Sequence, residues 1–208
     1  MEKVLFRLYR LVFQIIPTLF FCAISGLKFD SSWLIKGRIH VLRRKWYDRI
    51  FRGHEGGSIT IGKNFKCNNR IESNSIGIIQ PCVFNVEIDG SRIIIGNNVG
   101  ISGSTINAST QIRIDDNALI GSGCLISDTD SHPLDYSSRI NNDNTKIATA
   151  PIHICEGVFV GARSIILKGV TIGAHSVIGA GAVVARDIPE NCIAYGNPIV
   201  IAKKEGVL

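Results

Sequence analysis

From Ile154 onward an aliphatic side chain occupies every sixth position: Ile154, Val160, Ile166, Ile172, Ile178 and Val184. A small residue follows most of them, as at Gly161, Gly173, Gly179 and Ala185. Four places on from each stands a small or β-branched residue: Val158, Ser164, Val170, Ser176, Ala182. An amphipathic helix repeats at three and four and a half-buried strand at two, so neither accounts for a period of six. Sandwich strands would alternate and turn every 8–12 residues. A chain that turns a corner every six residues, three sides to a coil, does fit, because successive coils bury each other's aliphatic row. The pattern predicts an all-β fold, a parallel β-helix of hexapeptide repeats. Gly, Asn and Asp recur near the corners, where left-handed backbone is least unfavourable for them.

The register extends upstream as Ile114, Ile120 and Ile126, again as Ile95 and Ile101, and more weakly around Ile61, Cys67 and Ile88. It breaks once. After Ile126 the next inward residue is due at position 132, yet the register resumes only at Ile154, 22 residues late. The insert, roughly 130–150, is rich in Asp, Asn, Ser and Thr and offers little to a core. Loops this long inside a compact domain tend to be functional, so it is expected to project from the coil stack and to reach toward a neighbouring subunit.

The ends of the chain differ from the middle. Residues 1–52 hold 11 Lys and Arg against Glu2, Asp30 and Asp48, a balance of +8, whereas the remainder holds 12 against 14 and is close to neutral. Lys3, Arg7 and Arg10 precede an uncharged run from Leu11 to Leu27 that contains Pro17. Seventeen residues with an internal proline are marginal for crossing a bilayer, and Ala23 and Ser25 resemble a signal-peptide cleavage site. From Arg38 to Arg52, basic residues interleave with Val41, Leu42, Trp46, Tyr47, Ile50 and Phe51, the composition of a helix on an anionic membrane surface. Two readings stand: a helical cap on the first coil, or a cap that also touches membrane. Nucleic acid binding is disfavoured, since no recognition motif accompanies the charge. Residues 1–52 are thus read as an apolar and basic helical segment, 53–190 as the β-helix with its loop 130–150, and 191–208 as a C-terminal cap.

Six cysteines (Cys22, Cys67, Cys82, Cys124, Cys155, Cys192) form no C-x-x-C pair. They read as core-filling thiols in a reducing compartment, which points to the cytoplasm.

The insert opens with Ser127-Asp128-Thr129-Asp130-Ser131-His132-Pro133. Histidine is suited to accept a proton near neutral pH, and a nearby carboxylate, Asp128 or Asp130, can fix its tautomer and stabilise the imidazolium. His132 is the candidate base. His153 and His175 read as surface residues.

With that string stand Ile93-Ile94-Ile95-Gly96-Asn97-Asn98-Val99, Phe159-Val160-Gly161-Ala162 and Ile166-Leu167-Lys168-Gly169-Val170-Thr171-Ile172-Gly173. Val177-Ile178-Gly179-Ala180-Gly181-Ala182-Val183-Val184 and Ala194-Tyr195-Gly196-Asn197-Pro198 follow. Across about residues 93–203 the chain resembles the hexapeptide-repeat acyltransferases, closest to the sugar and polysaccharide O-acetyltransferases of the maltose and galactoside type. The resemblance implies a left-handed parallel β-helix, a homotrimer, and acetyl-CoA as acyl donor. It implies His132 as catalytic base and Ser102 as the candidate side chain for the oxyanion. It places Phe159, Ala162, Ala180, Ala185, Arg186 and Lys203 along the coenzyme A groove. The family often has tryptophan at the position of Phe159 and serine or threonine at those of Ala162 and Ala185. A zinc enzyme of this fold binds metal through histidines of facing subunits, two of them five residues apart; no such pair exists here, so no metal is expected.

The expected reaction is acetyl transfer to a sugar hydroxyl in surface-polysaccharide biosynthesis, at the inner face of the cytoplasmic membrane if the N-terminus binds lipid. N-acetylation of a nucleotide-linked amino sugar is the alternative acceptor chemistry. A non-enzymatic β-helix scaffold is the alternative of another class.

Overall fold

The computed structural model describes residues 11–25, 27–43 and 56–204. Its strands form the three faces of a left-handed parallel β-helix. Face one stacks β1 (Leu34–Lys36), β4 (Lys66–Asn68), β7 (Gly100–Ser102), β10 (Leu119–Ile120), β13 (Phe159–Val160), β16 (Val177–Ile178) and β18 (Cys192–Tyr195). Face two stacks β2 (His40–Arg43), β5 (Val83–Val86), β8 (Thr105–Asn107), β11 (Leu125–Ser127), β14 (Ile165–Ile166) and β17 (Val183–Val184). Face three stacks β3 (Ser58–Ile61), β6 (Arg92–Ile95), β9 (Gln111–Ile114), β12 (Ile152–Ile154) and β15 (Thr171–Ile172). Along each face, like positions meet: Ile126 lies between Ile106 and Ile166, and Ile154 between Ile114 and Ile172.

This register explains the period of six. Ile114, Ile126, Ile154, Val160, Ile166, Ile172, Ile178 and Val184 are all fully buried, and each such side chain contributes about 1.5–3 kcal/mol relative to exposure. Where glycine follows, as at Gly161 and Gly173, it is imposed by the next coil. A Cβ on Gly161 would stand 2.5 Å from the Ala180 amide nitrogen, and one on Gly173 2.3 Å from that of Glu190. At the edge between faces three and one, Asn64, Asn98 and Asn117 turn the chain with φ of 56°, 58° and 62°. Their side chains form a ladder, Asn64 Nδ2 donating to Asn98 Oδ1 and Asn98 Nδ2 to Asn117 Oδ1. Asparagine tolerates this backbone and here stitches successive coils as well.

The N-terminal reading needs correction. The β-helix starts near residue 34, not 53: β1 pairs with β4 and β2 with β5, and Trp33, Ile35 and Ile39 join the core. His40–Arg43, read as the start of a surface helix, is a strand. Residues 44–52, the rest of that stretch, lie outside the described residues, as do Lys3, Arg7 and Arg10. Ile88 does not belong to the inward register either; it is 49% exposed, on the bend between β5 and β6.

Among the described residues the N-terminal helical part is confined to 11–25. A π-helical turn, Leu11–Ile15, runs into α1 (Ile16–Ser25). Thr18 and Cys22 are buried, and Cys22 and Leu27 belong to the same core as Trp33. The segment therefore caps the open first coil. Among the described residues no helix is long and apolar enough to cross a membrane. At the other end β18 stacks on β16, and β19 (Val200–Lys203) folds back antiparallel on β18.

Candidate functional site

The insert leaves the coil at the end of β11 and returns at β12. Its two ends are zipped by an antiparallel bridge between Thr129 and Thr149, with the Asp130 amide donating to the Ala148 carbonyl and Ala150 to that of Asp128. Beyond the bridge lies α2 (Tyr136–Ile140). Asp135 caps it, accepting from the Ser138 amide at 2.8 Å and from the Ser137 and Ser138 hydroxyls at 2.7 Å. These donors hold the Asp135 carboxyl well below the usual carboxylate range, the Ser137 hydroxyl contributing most. Arg139 donates to the carbonyls of Pro133 and Leu134, so the turn that follows His132 is braced from within the insert. Leu134, Tyr136 and Ile140 are exposed on its outside.

His132 itself is exposed, and among the described residues it makes no hydrogen bond or ion pair. Ser131, before it, has a φ of 62° and donates its amide to Thr129 Oγ1 at 3.1 Å. The imidazole thus projects from a fixed turn with both ring nitrogens open.

The carboxylates expected to orient that ring are engaged elsewhere. Asp128 is fully buried; it accepts from the Ser109 amide at 2.6 Å and from the Thr110 amide and hydroxyl at 2.8 Å. It anchors the base of the insert to the coil below. Asp130 Oδ1 accepts from Lys168 Nζ at 2.7 Å, and its Oδ2 is buried without a partner. Neither group contacts His132, so the orienting role read for them is replaced by an anchoring one.

Ser102 does not meet His132 within one chain. It ends β7 at the edge between faces one and two, buried, and accepts from Asn68 Nδ2 at 3.2 Å. The insert leaves from the opposite edge of face two, after β11. That edge carries a polar ladder the sequence reading missed: Asn85 Nδ2 donates to Asn107 Oδ1, Asn107 Nδ2 to Ser127 Oγ, and Ser127 Oγ to the Thr129 carbonyl. An open groove of ≈ 480 Å³ lies beside the insert base, lined in part by Arg92, Thr110, Gln111 and Pro151.

The residues assigned to coenzyme A divide in the same way. Phe159 is exposed on face one, and Ala162 and Ala180 stack in successive coils on its edge with face two, where the Gly181 amide donates to the Ala162 carbonyl. Ala185 and Arg186 follow β17, on the other edge of face two. Lys203, paired with Cys192, stands at the edge with face three. One chain brings the first three together and leaves the others apart.

The six cysteines are free thiols, five of them buried, as expected for core residues. Cys155 differs. On face three Asp115 Oδ2 lies 2.7 Å from His153 Nε2, and Cys155 Sγ is 3.9 and 4.0 Å from the two ring nitrogens. The three donor atoms all fall within 4.8 Å of one another. Asp115 and His153 are 38 residues apart, and only the β9–β12 register, which spans the insert, brings them together.

Residues 151–186 match the model of the bacterial transferase hexapeptide (six repeats). The chain is 35% identical over 129 residues to the galactoside O-acetyltransferase of Lactococcus lactis, covering 61% of this chain and 59% of that relative. Its fold is similar to that of the polySia specific acetyltransferase NeuO (TM-score 0.59, 26% identity, 83% of this chain and 71% of the other). It is similar as well to a galactoside acetyltransferase solved in complex with coenzyme A (TM-score 0.53, 32% identity, 67% and 65%). The chain spans less than two thirds of the length of the curated relatives it matches.

Proposed function

The chain carries the hexapeptide-repeat β-helix of the bacterial transferases, and on that premise we propose that it is an acetyl-CoA-dependent O-acetyltransferase acting on a sugar hydroxyl of a surface glycan. The observation that carries this reading is His132: an unengaged imidazole on a braced turn, in the long insert that interrupts the strand stack between β11 and β12.

In this reading the imidazole accepts the proton of a sugar hydroxyl as its oxygen attacks the thioester carbonyl of acetyl-CoA. The carbonyl becomes a tetrahedral oxyanion, stabilised by a backbone N–H or by Ser102. Its collapse breaks the C–S bond, and the imidazolium returns the proton to the departing thiolate. The products are an O-acetyl ester and free coenzyme A, with no acyl-enzyme between.

The working unit is a homotrimer. Ser102 and the insert stand on opposite edges of face two, as do Ala162 with Ala180 and Ala185 with Arg186, so a site using both sets takes one from each of two copies. Exposed Leu119 and Phe159 on face one and Leu125 on face two are apolar, whereas face three presents Arg92, Arg113, His153 and Thr171. That asymmetry supports packing through faces one and two.

The acceptor is a lipid-linked glycan on the cytoplasmic side of a membrane. The N-terminal cap supports this, since α1 buries Thr18 and Cys22 yet exposes Ile16, Leu19 and Phe20, the last 70% exposed. Lys28, Lys36 and Arg38 stand exposed close after it, the pairing of apolar and basic surface that an anionic bilayer attracts.

The test is to incubate the full chain with acetyl-CoA and bacterial surface glycans, following coenzyme A release and product mass. A mass gain of one acetyl group, removed by mild alkali, supports the reading. An alkali-stable acetyl group would assign N-acetylation instead, and absence of saturable coenzyme A binding would assign a scaffold.

A further inference from the structure

Asp115, His153 and Cys155 lie outside the site assigned to acetyl transfer, on the polar third face. A nucleophile–base pair is one chemistry for them, and the geometry opposes it. Cys155 Sγ is almost equidistant from both ring nitrogens, at 3.9 and 4.0 Å, so it sits beside the ring rather than on a lone-pair axis. Burial, with the Asp115 charge adding to it, also pushes the thiol up, opposite to an activated nucleophile.

Ligation suits the same geometry. We propose that Asp115, His153 and Cys155 form a binding site for a divalent ion of the zinc class, which clips the coil before the insert to the coil after it. Carboxylate, imidazole and thiolate are the three side-chain donors zinc accepts, and bond lengths of about 2.0–2.3 Å place tetrahedral donors roughly 3.3–3.7 Å apart. His153 Nε2 and Asp115 Oδ2 are 2.7 Å apart and Sγ is 3.9 Å from Nε2. A small swing of the half-exposed His153 ring away from Asp115 and toward Cys155 equalises these separations. The backbone is already in place: the Asp115 amide donates to the Ile154 carbonyl at 2.8 Å, and Ile114 is in register with Ile154.

Arg113 Nε donates to Asp115 Oδ1 at 2.6 Å. By holding Oδ1 it directs Oδ2 toward His153, while its charge opposes the incoming cation. All three donors are partly exposed, which leaves a fourth position for water. Binding expels the Cys155 Sγ proton to solvent as the metal–sulfur bond forms, with no change of oxidation state. The ion is a structural clip, distinct from the transfer chemistry of His132.

The full untagged chain, stripped with chelator, is titrated with Co²⁺ and then Zn²⁺. The expected result is one Co²⁺ per chain, a thiolate-to-cobalt charge-transfer band displaced by Zn²⁺, and a rise in Tm with Zn²⁺. Cys155→Ser should abolish the band, and His153→Ala and Asp115→Asn should each weaken Zn²⁺ binding at least tenfold. Arg113→Gln should tighten it by relieving the like charge. Circular dichroism and the metal-free Tm of each variant check that it folds. No saturable band in the wild-type chain, or equal Zn²⁺ affinity in wild type, Cys155→Ser and His153→Ala, overturns the proposal.

Discussion

Lys168 Nζ lies 2.7 Å from Asp130 Oδ1, joining a residue three strands past the insert to the residue at which the insert begins. Both side chains are largely shielded from solvent, and with the Thr129–Thr149 bridge they close the base of the loop. Lys168→Ala leaves a shielded carboxylate without its cation. The expected loss of global stability is small, about 1 kcal/mol, as for most partly exposed pairs. The local effect is larger: protease cleavage within residues 131–149 should accelerate while the coils stay resistant. An unchanged cleavage rate would show that the pair does not hold the insert.

His132→Ala removes the proposed base from an exposed position with no bond to lose. Turnover should fall about 10²–10⁴-fold, with Tm and coenzyme A affinity unaltered. Full activity in this variant would remove the mechanism.

Asp128→Ala separates anchoring from catalysis. It removes the carboxylate that accepts from the half-buried amides of Ser109 and Thr110 and from the Thr110 hydroxyl. A destabilisation of about 2–4 kcal/mol is expected in chemical denaturation, with activity lost alongside stability. Activity lost at wild-type stability would return Asp128 to a role at the ring.

Two glycines distinguish coil contact from backbone conformation. Gly161→Ala puts a methyl 2.5 Å from the Ala180 amide nitrogen, where stacked coils cannot separate locally, and should lower Tm sharply. Gly181→Ala meets nothing within 4 Å and bears only its positive φ of 71°, a penalty of about 1 kcal/mol. Equal effects would refute the contact explanation.

The Asp135 cap gives the insert a pH dependence. Its carboxyl is held below the ordinary value in the folded chain, so the charged form is favoured by folding. Its contribution is complete above the unfolded carboxylate value of about 4 and fades as pH falls toward the depressed folded value. The Ser138 amide resonance should therefore shift toward a random-coil position only in strong acid. Asp135→Asn should abolish that titration.

Much of this architecture was legible in the chain because the period of six reports directly on stacking. Ile114, Ile126 and Ile154 could be read as inward without any knowledge of the coils above them. The first coil was not legible, since Trp33, Ile35 and Ile39 stand among basic residues that signal a surface segment, and only pairing with β4 and β5 reveals their burial. The base was legible and its supposed partners were not. Asp128 and Asp130 are near His132 in sequence, but the amides of Ser109 and Thr110 and the ammonium of Lys168 reach them first. Those competitors come from other coils, so no local string displays them.

The sequence by itself determined the solenoid, the insertion point and the histidine at its root, because each depends on residue type at a local spacing. Tertiary structure decided which groups share a neighbourhood. It gave Asp130 to Lys168, separated Ser102 from His132 across face two, and set Asp115 beside His153 and Cys155. The physical reason is one of register. In a three-sided helix, contacts form between residues a whole coil apart, and a long insert makes that interval unreadable until the strands on either side are seen to pair.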